Sequence, residues 1–506
     1  MTTFKQIGVI GSGAMGRGIA QLFASAGVEV LLHDSRSEAI EQALMHNRES
    51  LERAAAKGRI SAHVLAGTLE RMRAAHTLQE LAGCDLLIEA IVENLEAKQK
   101  LFRELEQLVS RDAVLASNTS SLSITLIASA CEHPQRVAGF HFFNPVTLMK
   151  IVEVVRGERT AAQVIERLSA LARHAGHFAA VTPDSPGFLV NHAGRAYGPE
   201  ALRILAEGIA TPAQIDRILR DCLGFRMGPF ELFDLVGLDI SHAVMESIHD
   251  QFYQDPRYTP SSLVPARLAA GLLGRKTGQG FYRYEEGRVV EDARVELPPV
   301  AINQPFWLDC RDAAMRDRIG AVLSSAGAVL EQGEQPGSNA ICLVTPLGED
   351  ASSAIARRQL PVARSLALET FAGFDRRRVL MRHPGLDANV LARARQALGA
   401  DGGPVEVIND SPGFIAQRVL ASIVNLGCEI AQRRIVDPAT LDRAVQLALG
   451  YPHGPLGFGD QYGAMNIQQI LQALHDCYQE PRYRLSPWLR RRVQLGLPLT
   501  TAEESA

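Results

Sequence analysis

The chain has 506 residues, of which 46% are hydrophobic and 21% charged, and its formal net charge is −4 at pH 7. This length predicts about three or four domains, and the charge gives no indication of a nucleic-acid or membrane-surface partner. No apolar run reaches the roughly 18 residues that a membrane span requires. The seven cysteines are scattered without a Cys-x-x-Cys pair, and the first strand is reached within a few residues, so we expect no signal peptide. We therefore expect a cytoplasmic protein without a zinc site or a disulfide framework.

The N-terminal stretch carries a glycine-rich turn between a strand and a helix. The apolar run Ile7–Ile10 leads into Gly-x-Gly-x-x-Gly, and the pattern of Arg17–Ala26 is helical. Gly11 permits the tight turn, Gly13 lets a pyrophosphate approach the backbone, and Gly16 allows close packing of helix and strand. The helix N-terminus then offers N–H groups to the phosphates. The order of these parts favours a dinucleotide site over an ordinary glycine-rich turn.

An acid follows the next apolar run. Asp34 comes after Val28–Leu32, where a carboxylate can bind both hydroxyls of an adenine ribose, which favours NAD over NADP. Arg36 is close enough in sequence to reach a 2′-phosphate, so NADP stays the less favoured alternative.

Strand and helix patterns alternate through the rest of the first domain. A long helical region runs from Ser35 to about Leu81, and a later helix covers Glu96–Val109. The strands predicted are Asp85–Ala90, Ala113–Ser117, Val137–Phe142 and Ile151–Val155. This alternation predicts a doubly wound, mostly parallel sheet, with a ligand outside the carboxyl ends of the strands.

A histidine and a glutamate lie in two of these strands. His141 follows an apolar strand, and Glu153 interrupts another. Together they could form a dyad in which the carboxylate fixes the imidazole tautomer and the ring takes a proton from a hydroxyl. That step accompanies hydride transfer from an alcohol to a nicotinamide. A core histidine and a salt-bridged glutamate are the alternative, and spacing alone favours neither.

Eight motifs in order make the chain resemble the L-3-hydroxyacyl-CoA dehydrogenases from about Met1 to Tyr284. The motifs are Gly-Ser-Gly-Ala-Met-Gly (11–16), Glu-Ala-Ile-Val-Glu (89–93), Ser-Asn-Thr-Ser-Ser (117–121), His-Phe-Phe-Asn-Pro (141–145), Val-Glu-Val (152–154), Asp-Ser-Pro-Gly-Phe-Leu-Val-Asn (184–191), Met-Gly-Pro-Phe-Glu-Leu-Phe-Asp (227–234) and Gly-Arg-Lys-Thr-Gly-Gln-Gly-Phe-Tyr (274–282). The resemblance implies NAD-dependent oxidation of an (S)-3-hydroxyacyl-CoA to a 3-oxoacyl-CoA. It places this activity in fatty-acid or aromatic-acid (phenylacetate-type) catabolism.

The resemblance also implies roles for individual residues. His141 would be the general base and Glu153 its orienting partner. Ser120 would hydrogen-bond the 3-oxygen of the substrate near the nicotinamide, and Asn191 would hold the thioester or 3-oxygen side. His192 departs from the family, in which an arginine more often follows the asparagine.

Cofactor and coenzyme A contacts are implied in the same way. Contacts to NAD would come from Gly11, Gly13, Ala14, Met15, Gly16, Asp34, Glu93, Lys98, Ser120, Asn144 and Lys276. Ser50 and Lys57 fall where the family contacts coenzyme A, and a solvated helix face is the alternative for these two. No metal site is implied.

Four domains are predicted. Residues 1–183 form a Rossmann-type α/β domain that binds NAD, and residues 184–286 form an all-α domain like that of 6-phosphogluconate dehydrogenase, as the resemblance implies. The latter should begin with one long helix, Phe188 to about Gly208. Residues 287–406 are predicted to be a degenerate α/β spacer without cofactor, and residues 407–506 a second copy of the helical domain.

An internal repeat supports the second helical copy. Val407–Phe414 matches Val181–Phe188 at an offset of 226 residues, and the same offset relates several later positions. The pairs are Asp216-Arg217 with Asp442-Arg443, Gly228-Pro229 with Gly454-Pro455 and Asp234 with Asp460. A match of this length indicates duplication.

The second copy lacks the residues of the site. Gln417 replaces Asn191, and Leu499–Thr501 stands where we align Lys276–Gly278. We therefore expect a non-catalytic copy that packs on the first within one chain, as an intra-chain pseudo-dimer, with one cofactor and one active site per chain. Further self-association of chains stays open.

Two alternative functions are compatible with the sequence. One is a related dehydrogenase of a free hydroxy acid or sugar acid. The other is a non-catalytic NAD-binding protein, which the presence of His141, Glu153, Ser120 and Asn191 disfavours.

Overall fold

The computed structural model describes residues 4–290 and 300–503. The first half of the chain contains β1 (Gln6–Ile10), α1 (Ala14–Ser25), β2 (Glu29–His33), α2 (Ser37–Ala56), α3 (Ala62–Arg71), β3 (Met72–Ala75), β4 (Leu86–Glu89), α4 (Leu95–Leu108), β5 (Val114–Ser117), α5 (Ile124–Ala128), β6 (Val137–Phe142), β7 (Ile151–Arg156), α6 (Ala162–His174), β8 (Phe178–Pro183), α7 (Val190–Ala193), α8 (Gly198–Ala206), α9 (Pro212–Leu223), α10 (Pro229–Val236), α11 (Leu238–Gln251) and α12 (Leu263–Ala269).

The remaining elements follow in the second half. They are β9 (Tyr284–Glu285), β10 (Arg288–Val289), β11 (Phe306–Asp309), α13 (Ala313–Ser325), β12 (Ile341–Val344), α14 (Ala351–Arg357), β13 (Ser365–Leu368), β14 (Arg378–Arg382), α15 (Ala388–Leu398), β15 (Val405–Asn409), α16 (Ala416–Gln432), α17 (Pro438–Leu449), α18 (Pro455–Tyr462), α19 (Ala464–Tyr478) and α20 (Pro487–Leu495). Two compact units result. The first comprises the described residues through His192 and Arg434–Leu449, and the second comprises Ala193–Arg433 and the described residues from Gly450.

The first unit is built on an eight-stranded sheet in the order β3-β2-β1-β4-β5-β6-β7-β8. All neighbours run parallel except β6 and β7. Alternate strand residues face two apolar clusters, as strand geometry requires. One cluster includes Phe23 of α1 and Leu168 of α6, and the other includes Phe102 of α4 and Ile127 of α5. Both faces are therefore covered by helices, and the predicted doubly wound α/β fold is confirmed.

Two strands of this sheet escaped prediction. The predicted helical region from Ser35 to Leu81 was wrong in part, because it contains β3 after α3. The β3 sequence, Met-Arg-Ala-Ala, has little intrinsic strand preference, and its pairing with β2 overrides that preference. The other strand is β8 at the opposite edge, which ends at Pro183 where no further strand pairing is needed.

The predicted long helix from Phe188 to Gly208 was also wrong. The chain forms α7, a 3-10 turn at Gly194–Ala196 and then α8. Gly194, Gly198 and Pro199 explain the interruption, because glycine weakens a helix interior and proline lacks the N–H that continues it. The repeat has Leu420, Val424 and Asn425 at the matching positions, and its α16 is continuous.

The spacer domain in the second unit contains a five-stranded sheet. Its order is β11-β12-β13-β14-β15, and β13–β14 is the antiparallel pair. This repeats the order and direction of β4 to β8 in the first unit. Within the described residues, the spacer has no counterpart of β1 to β3 or of the glycine-rich turn. The spacer therefore has the architecture of the second half of a dinucleotide-binding domain.

A carboxylate clamp repeats with the sheet. Asp184 accepts hydrogen bonds from Ser123 Oγ (2.7 Å), Ile124 N (3.0 Å) and Thr125 N (2.7 Å) at the start of α5. In the spacer, Asp410 accepts from Ala351 N and from the backbone and hydroxyl of Ser352 at the start of α14. The duplication therefore extends from the helical domains into the sheet domains.

Hydrogen bonds correct one alignment in the helical repeat. Asp234 accepts from Phe281 N and Tyr282 N, and Asp460 accepts from Leu499 N and Thr500 N. Leu499 thus corresponds to Phe281. The alignment of Leu499–Thr501 with the Lys276 segment was wrong, because the segment between Asp460 and Leu499 is shorter than the segment between Asp234 and Phe281.

Candidate active site

The glycine-rich turn between β1 and α1 has the predicted geometry. Gly11 has a φ of +102°, which side-chain-bearing residues rarely adopt. A Cβ on Gly16 would lie 1.7 Å from the Gly11 carbonyl oxygen, whereas a Cβ on Gly13 would have no atom of the described residues within 4 Å. Helix α1 begins at Ala14 without a side-chain cap. Its first N–H groups are therefore placed to bind a phosphate, which fits a dinucleotide.

Asp34 follows β2 and is tied to this turn. Its Oδ2 accepts hydrogen bonds from Ser12 N (2.9 Å) and Ser12 Oγ (2.8 Å), and its Oδ1 accepts from Arg36 N (3.1 Å). Partial burial would raise the pKa of Asp34, but these hydrogen bonds outweigh burial and lower the pKa below its usual value. The carboxylate stays ionised beside the glycines, as ribose binding requires.

His141 and Glu153 are brought together by the one antiparallel pair of the sheet. They are direct register partners on β6 and β7, and the His141 Nδ1 lies 2.5 Å from Glu153 Oε2. Glu153 is fully buried, and its other oxygen accepts from Leu189 N (2.9 Å) and Val190 N (2.8 Å). The structure thus favours the dyad over two unrelated side chains. Because Nδ1 is engaged, Nε2 is the ring nitrogen left for proton transfer.

Ser120 lies in a loop after β5 that Glu93 organises. Glu93 Oε1 accepts from Thr119 Oγ1 (2.7 Å), Ser120 N (3.0 Å) and Ser121 Oγ (3.0 Å). Asn191 Nδ2 donates to the Ser120 carbonyl oxygen at 3.2 Å. The structure therefore brings together Glu93, Ser120 and Asn191, which are far apart in sequence.

The remaining predicted cofactor residues have different surroundings. Lys98 is buried and pairs with Glu89 (2.5 Å) and Glu93 (3.3 Å), so it is held against the Ser120 loop. Asn144 is exposed just after β6. Lys276 belongs to the second unit, where its Nζ pairs with Asp239 at 2.6 Å.

Ser50 and Lys57 line one cavity in the first unit. The cavity has a volume of about 860 Å³, and its walls also include the basic side chains of Arg53, Arg59 and Lys150. Ser50, Arg53 and Lys57 share one face of α2 and the turn that follows it. The three basic side chains surround Ser50 and Lys57, and together they form a positively charged surface suited to phosphate groups.

Asn118 was not singled out by sequence reasoning. Its Oδ1 accepts a hydrogen bond from Phe142 N at 2.8 Å, which fixes the end of β5 against the end of β6 beside His141. The available signal was its place inside the Ser-Asn-Thr-Ser-Ser motif. A backbone-directed hydrogen bond of this kind is not encoded in spacing.

The described residues offer neither a metal-binding cluster nor a membrane-spanning helix. Residues 4–290 and 300–503 contain no cluster of three or more His, Cys, Asp or Glu side chains that could hold a metal ion. None of the helices in these ranges is both long and apolar enough for a membrane span.

Comparison with known proteins gives two family matches. The model described as "3-hydroxyacyl-CoA dehydrogenase, NAD binding domain" matches residues 6–185. The model described as "3-hydroxyacyl-CoA dehydrogenase, C-terminal domain" matches residues 187–284 and again 413–504. The second model thus recovers both helical copies.

Individual proteins resemble the chain over its whole length or its first half. A 3-hydroxyadipyl-CoA dehydrogenase of Escherichia coli (strain K12) is 36% identical over 496 residues, which is 98% of each chain. A probable 3-hydroxybutyryl-CoA dehydrogenase of Bacillus subtilis (strain 168) is 41% identical over 282 residues, 56% of this chain and 98% of that protein. The crystal structure of a 3-hydroxybutyryl-CoA dehydrogenase from Escherichia coli K12 has a TM-score of 0.85 at 34% identity, and it covers 97% of this chain and 99% of its own.

Proposed function

The chain belongs to the 3-hydroxyacyl-CoA dehydrogenase family, and we propose that His141 is the general base of its NAD-dependent oxidation of a 3-hydroxyacyl-CoA to a 3-oxoacyl-CoA. The observation that supports this role is the 2.5 Å pairing of His141 with Glu153. The names of the related proteins give different acyl groups, adipyl and butyryl, but each name gives a 3-hydroxyacyl-CoA as the substrate.

The dyad can move a proton at a defined atom. Glu153 holds the His141 Nδ1, so Nε2 takes the proton of the substrate hydroxyl and the carboxylate stabilises the imidazolium that forms. The hydrogen bonds from Leu189 N and Val190 N keep the buried Glu153 in place and offset the cost of its charge. NAD, when bound, accepts the hydride that leaves C3, the carbon that carries this hydroxyl.

The Ser120 loop supplies orientation in this proposal. Ser120 Oγ hydrogen-bonds the 3-oxygen, and the bond from Asn191 to the Ser120 carbonyl fixes the loop relative to the start of α7. The glycine-rich turn and Asp34 hold the cofactor, for which their geometry is suited. Glu93, Lys98, Asn144 and Lys276 are further proposed contacts to NAD.

The basic cavity beside α2 is the proposed site for coenzyme A. Ser50 and Lys57 bind the phosphate-bearing part, and Arg53, Arg59 and Lys150 add positive charge around it. A charged handle held away from the reacting carbon supplies binding energy that a free hydroxy acid lacks. This cavity therefore favours a thioester substrate over a free hydroxy acid or sugar acid.

We infer that the two helical copies form an intra-chain pseudo-dimer. Each copy has a Pro-Arg-Tyr turn, Pro256–Tyr258 in the first and Pro481–Tyr483 in the second. The arginine of each turn donates a hydrogen bond to the other copy: Arg482 Nη2 to Pro256 O (2.7 Å), and Arg257 Nη2 to the carbonyl of Arg484, which follows the second turn (3.4 Å). Reciprocal contacts between equivalent segments are typical of a two-fold interface.

A buried arginine strengthens this contact. Arg418 of the second copy is fully buried, and its guanidinium donates to Glu200 (2.6 Å) and Glu207 (2.7 Å) of the first copy. Arg418 is the repeat equivalent of His192 at the offset of 226. The second copy therefore has an arginine at this position, where it joins the two copies.

We further propose a cytoplasmic location. All seven cysteines are free, and thiols in this state are typical of a reducing compartment.

The test of the catalytic proposal is the His141→Ala variant. We expect kcat to fall by a factor of roughly 10² to 10⁴ because the general base is lost, while the dissociation constant for NADH stays near that of the wild type. Steady-state kinetics with 3-hydroxybutyryl-CoA and fluorescence titration with NADH measure the two quantities. His177→Gln is the control, because His177 is also buried in this domain but bonds the Val146 carbonyl and has no carboxylate partner in the described contacts. Equal turnover in His141→Ala and wild type would overturn the assignment.

A further inference from the structure

A second buried carboxylate lies beside the proposed cofactor site. Glu89 is the last residue of β4 and is fully buried. It has no part in the dyad, and the proposed catalytic steps do not use it. A buried carboxylate is costly unless its charge is matched, so its partners indicate what it holds in place.

Three donors from three different segments converge on Glu89. Its Oε1 accepts from Lys98 Nζ (2.5 Å) and Ile91 N (2.7 Å), and its Oε2 accepts from Ser117 Oγ (2.6 Å). Ser117 ends β5, directly before the Ser120 loop. One carboxylate therefore joins the ends of β4 and β5 to helix α4.

The same residue shapes the backbone next to the glycine-rich turn. The Ala90 N donates to the Ile10 carbonyl at 2.7 Å, and a Cβ on Gly11 would lie 2.4 Å from the Ala90 carbonyl oxygen. The bond from Ile91 N to Glu89 fixes the chain direction at this close approach. Glu89 thus acts on both walls of the crevice that a dinucleotide occupies in such sheets.

Lys98 continues the network towards the Ser120 loop. Its Nζ lies 3.3 Å from Glu93 Oε2, while Glu93 Oε1 accepts from the Ser120 backbone. Burial raises and the Lys98 charge lowers the pKa of Glu93, and with the loop hydrogen bonds the net effect is a lowered pKa. The order of contacts is Glu89, Lys98, Glu93 and then Ser120.

We propose that Glu89 is a positioning residue for this reaction, which holds Lys98 and the Ser117 end of β5 so that the Ser120 loop and the cofactor crevice keep their geometry. The proposal rests on the roles proposed above for Ser120 and Lys98. The coenzyme A cavity lies on α2 and shares no residue with this network. Loss of Glu89 should therefore affect cofactor binding and turnover more than binding of the acyl-CoA.

The test uses Glu89→Gln in the full chain. We expect the Kd for NADH, from fluorescence titration without substrate, to rise about tenfold and kcat to fall about tenfold, because the buried lysine loses the nearer of its two charged partners and keeps only Glu93. The KM for 3-hydroxybutyryl-CoA should change by no more than about twofold. Assays well below the Tm of each variant separate positioning from unfolding.

The matched control is Glu106→Gln in the same domain. Glu106 is also buried, lies near Arg136 (3.5 Å) and accepts from Glu132 N and His133 N, and none of these three partners belongs to the Glu89 network. Its variant should lower the Tm without changing the Kd for NADH or kcat. The proposal is wrong if Glu89→Gln and Glu106→Gln give the same Kd and kcat.

Ser117→Ala keeps the proposal testable if Glu89→Gln does not fold. This variant removes the hydroxyl donor to Glu89, and we expect the Kd for NADH to rise about threefold and kcat to fall about threefold. Unchanged values in Ser117→Ala would overturn the proposal in that case. A wild-type chain that binds NADH but turns over no acyl-CoA would contradict the proposed function, whereas the NADH titrations would still decide the role of Glu89.

Discussion

The same pair of strand positions carries different residues in the two sheets. In the first sheet His141 pairs with Glu153 across β6 and β7. In the spacer the corresponding residues are Glu369, directly after β13, and Val379 on β14, joined by a hydrogen bond from Glu369 N to the Val379 carbonyl at 2.9 Å. The spacer therefore has a carboxylate in place of the base and an apolar residue in place of its orienting partner, so it cannot perform the same proton transfer.

The strand register establishes this equivalence. Val181 pairs with Val154 in the first sheet, and Val407 pairs with Leu380 in the spacer. Val181 and Val407 are separated by the repeat offset of 226. Val154 and Leu380 are therefore equivalent, and so are the residues that precede them, Glu153 and Val379.

Glu369 is a buried carboxylate, and among the described contacts only one of its two oxygens accepts hydrogen bonds. Its Oε1 accepts from Phe371 N (2.7 Å) and from Gln417 Nε2 (3.0 Å), the repeat equivalent of Asn191. Its Oε2 has no hydrogen-bond partner among the residues that the structure describes. Burial raises the pKa of Glu369 from 4.5 to about 7, against the smaller opposing effect of these hydrogen bonds.

The Glu369→Gln variant should stabilise the protein in a pH-dependent way. Because the folded pKa is raised, the folded state binds the proton more tightly, and ionisation destabilises it as the pH rises from about 4.5 to about 7. Above pH 7 this cost is about 3 kcal/mol, and it is absent in the glutamine variant. Unfolding midpoints measured at pH 5 and pH 8 should show a larger gain at pH 8. Glu334→Gln, at an exposed site, is the control, and equal gains at both pH values would contradict the argument.

At the scale of elements, the strongly patterned segments were predicted and the weakly patterned ones were not. The strands β4 to β7 could be identified because they are buried on both faces and are therefore mostly apolar. Helix α4 could be identified because only one face is buried, which gives it an amphipathic pattern. The short edge strands β3 and β8 depend on pairing with a neighbour that is distant in sequence. The division between α7 and α8 depends on Gly194, Gly198 and Pro199, whose effect a mostly apolar pattern conceals.

Helix α2 gives a prediction at this scale. Its basic face, with Lys57 just beyond its end, lines the cavity proposed for coenzyme A. Lys57→Ala should raise the KM for 3-hydroxybutyryl-CoA roughly three- to tenfold with little change in kcat, since a contact far from the reacting carbon is equally strong in ground state and transition state. Turnover of free 3-hydroxybutyrate should be very low and independent of Lys57. Lys100→Ala, on the exposed face of α4, is the charge-matched control.

The opposite results would have a clear meaning. An unchanged KM in Lys57→Ala would restore the solvated helix face as the explanation of this segment. Efficient turnover of free 3-hydroxybutyrate would favour a dehydrogenase of free hydroxy acids.

At the scale of the whole molecule, each sheet domain is completed by a helix of a helical copy. In the first unit, α17 packs against β7 and β8, although it lies about 250 residues later in the chain. In the second unit, Gln214 of α9 donates to the Val407 carbonyl of β15 at 3.0 Å, and Arg217 pairs with Glu406 at 2.8 Å. The helix of one copy therefore covers the edge of the sheet that precedes the other copy.

Truncation tests this arrangement. A chain that ends at Glu286 lacks α17, so β7 and β8 lose their cover, and we expect it to dimerise or to precipitate. The Bacillus subtilis relative corresponds to only 56% of this chain, so proteins of this shorter length occur among the relatives. Light scattering after size exclusion gives the oligomeric state, and kinetics with 3-hydroxybutyryl-CoA give the activity. A truncated chain that is monomeric, soluble and fully active would contradict the pseudo-dimer.

The sequence by itself determined the fold class, the cofactor and the family. Gly11, Gly13, Gly16 and Asp34 are local signals, since each is required by backbone geometry or ligand contact within one β-α-β segment. The duplication was equally evident, because an offset of 226 residues is a property of the sequence alone.

The tertiary structure decided which side chains meet. His141 and Glu153 could be a dyad or two unrelated residues until the antiparallel register of β6 and β7 paired them. Glu89 had no assigned role until its contacts with Lys98 and Ser117 joined three segments. Such pairings depend on strand order and register between distant segments, and local sequence patterns do not encode distances between elements.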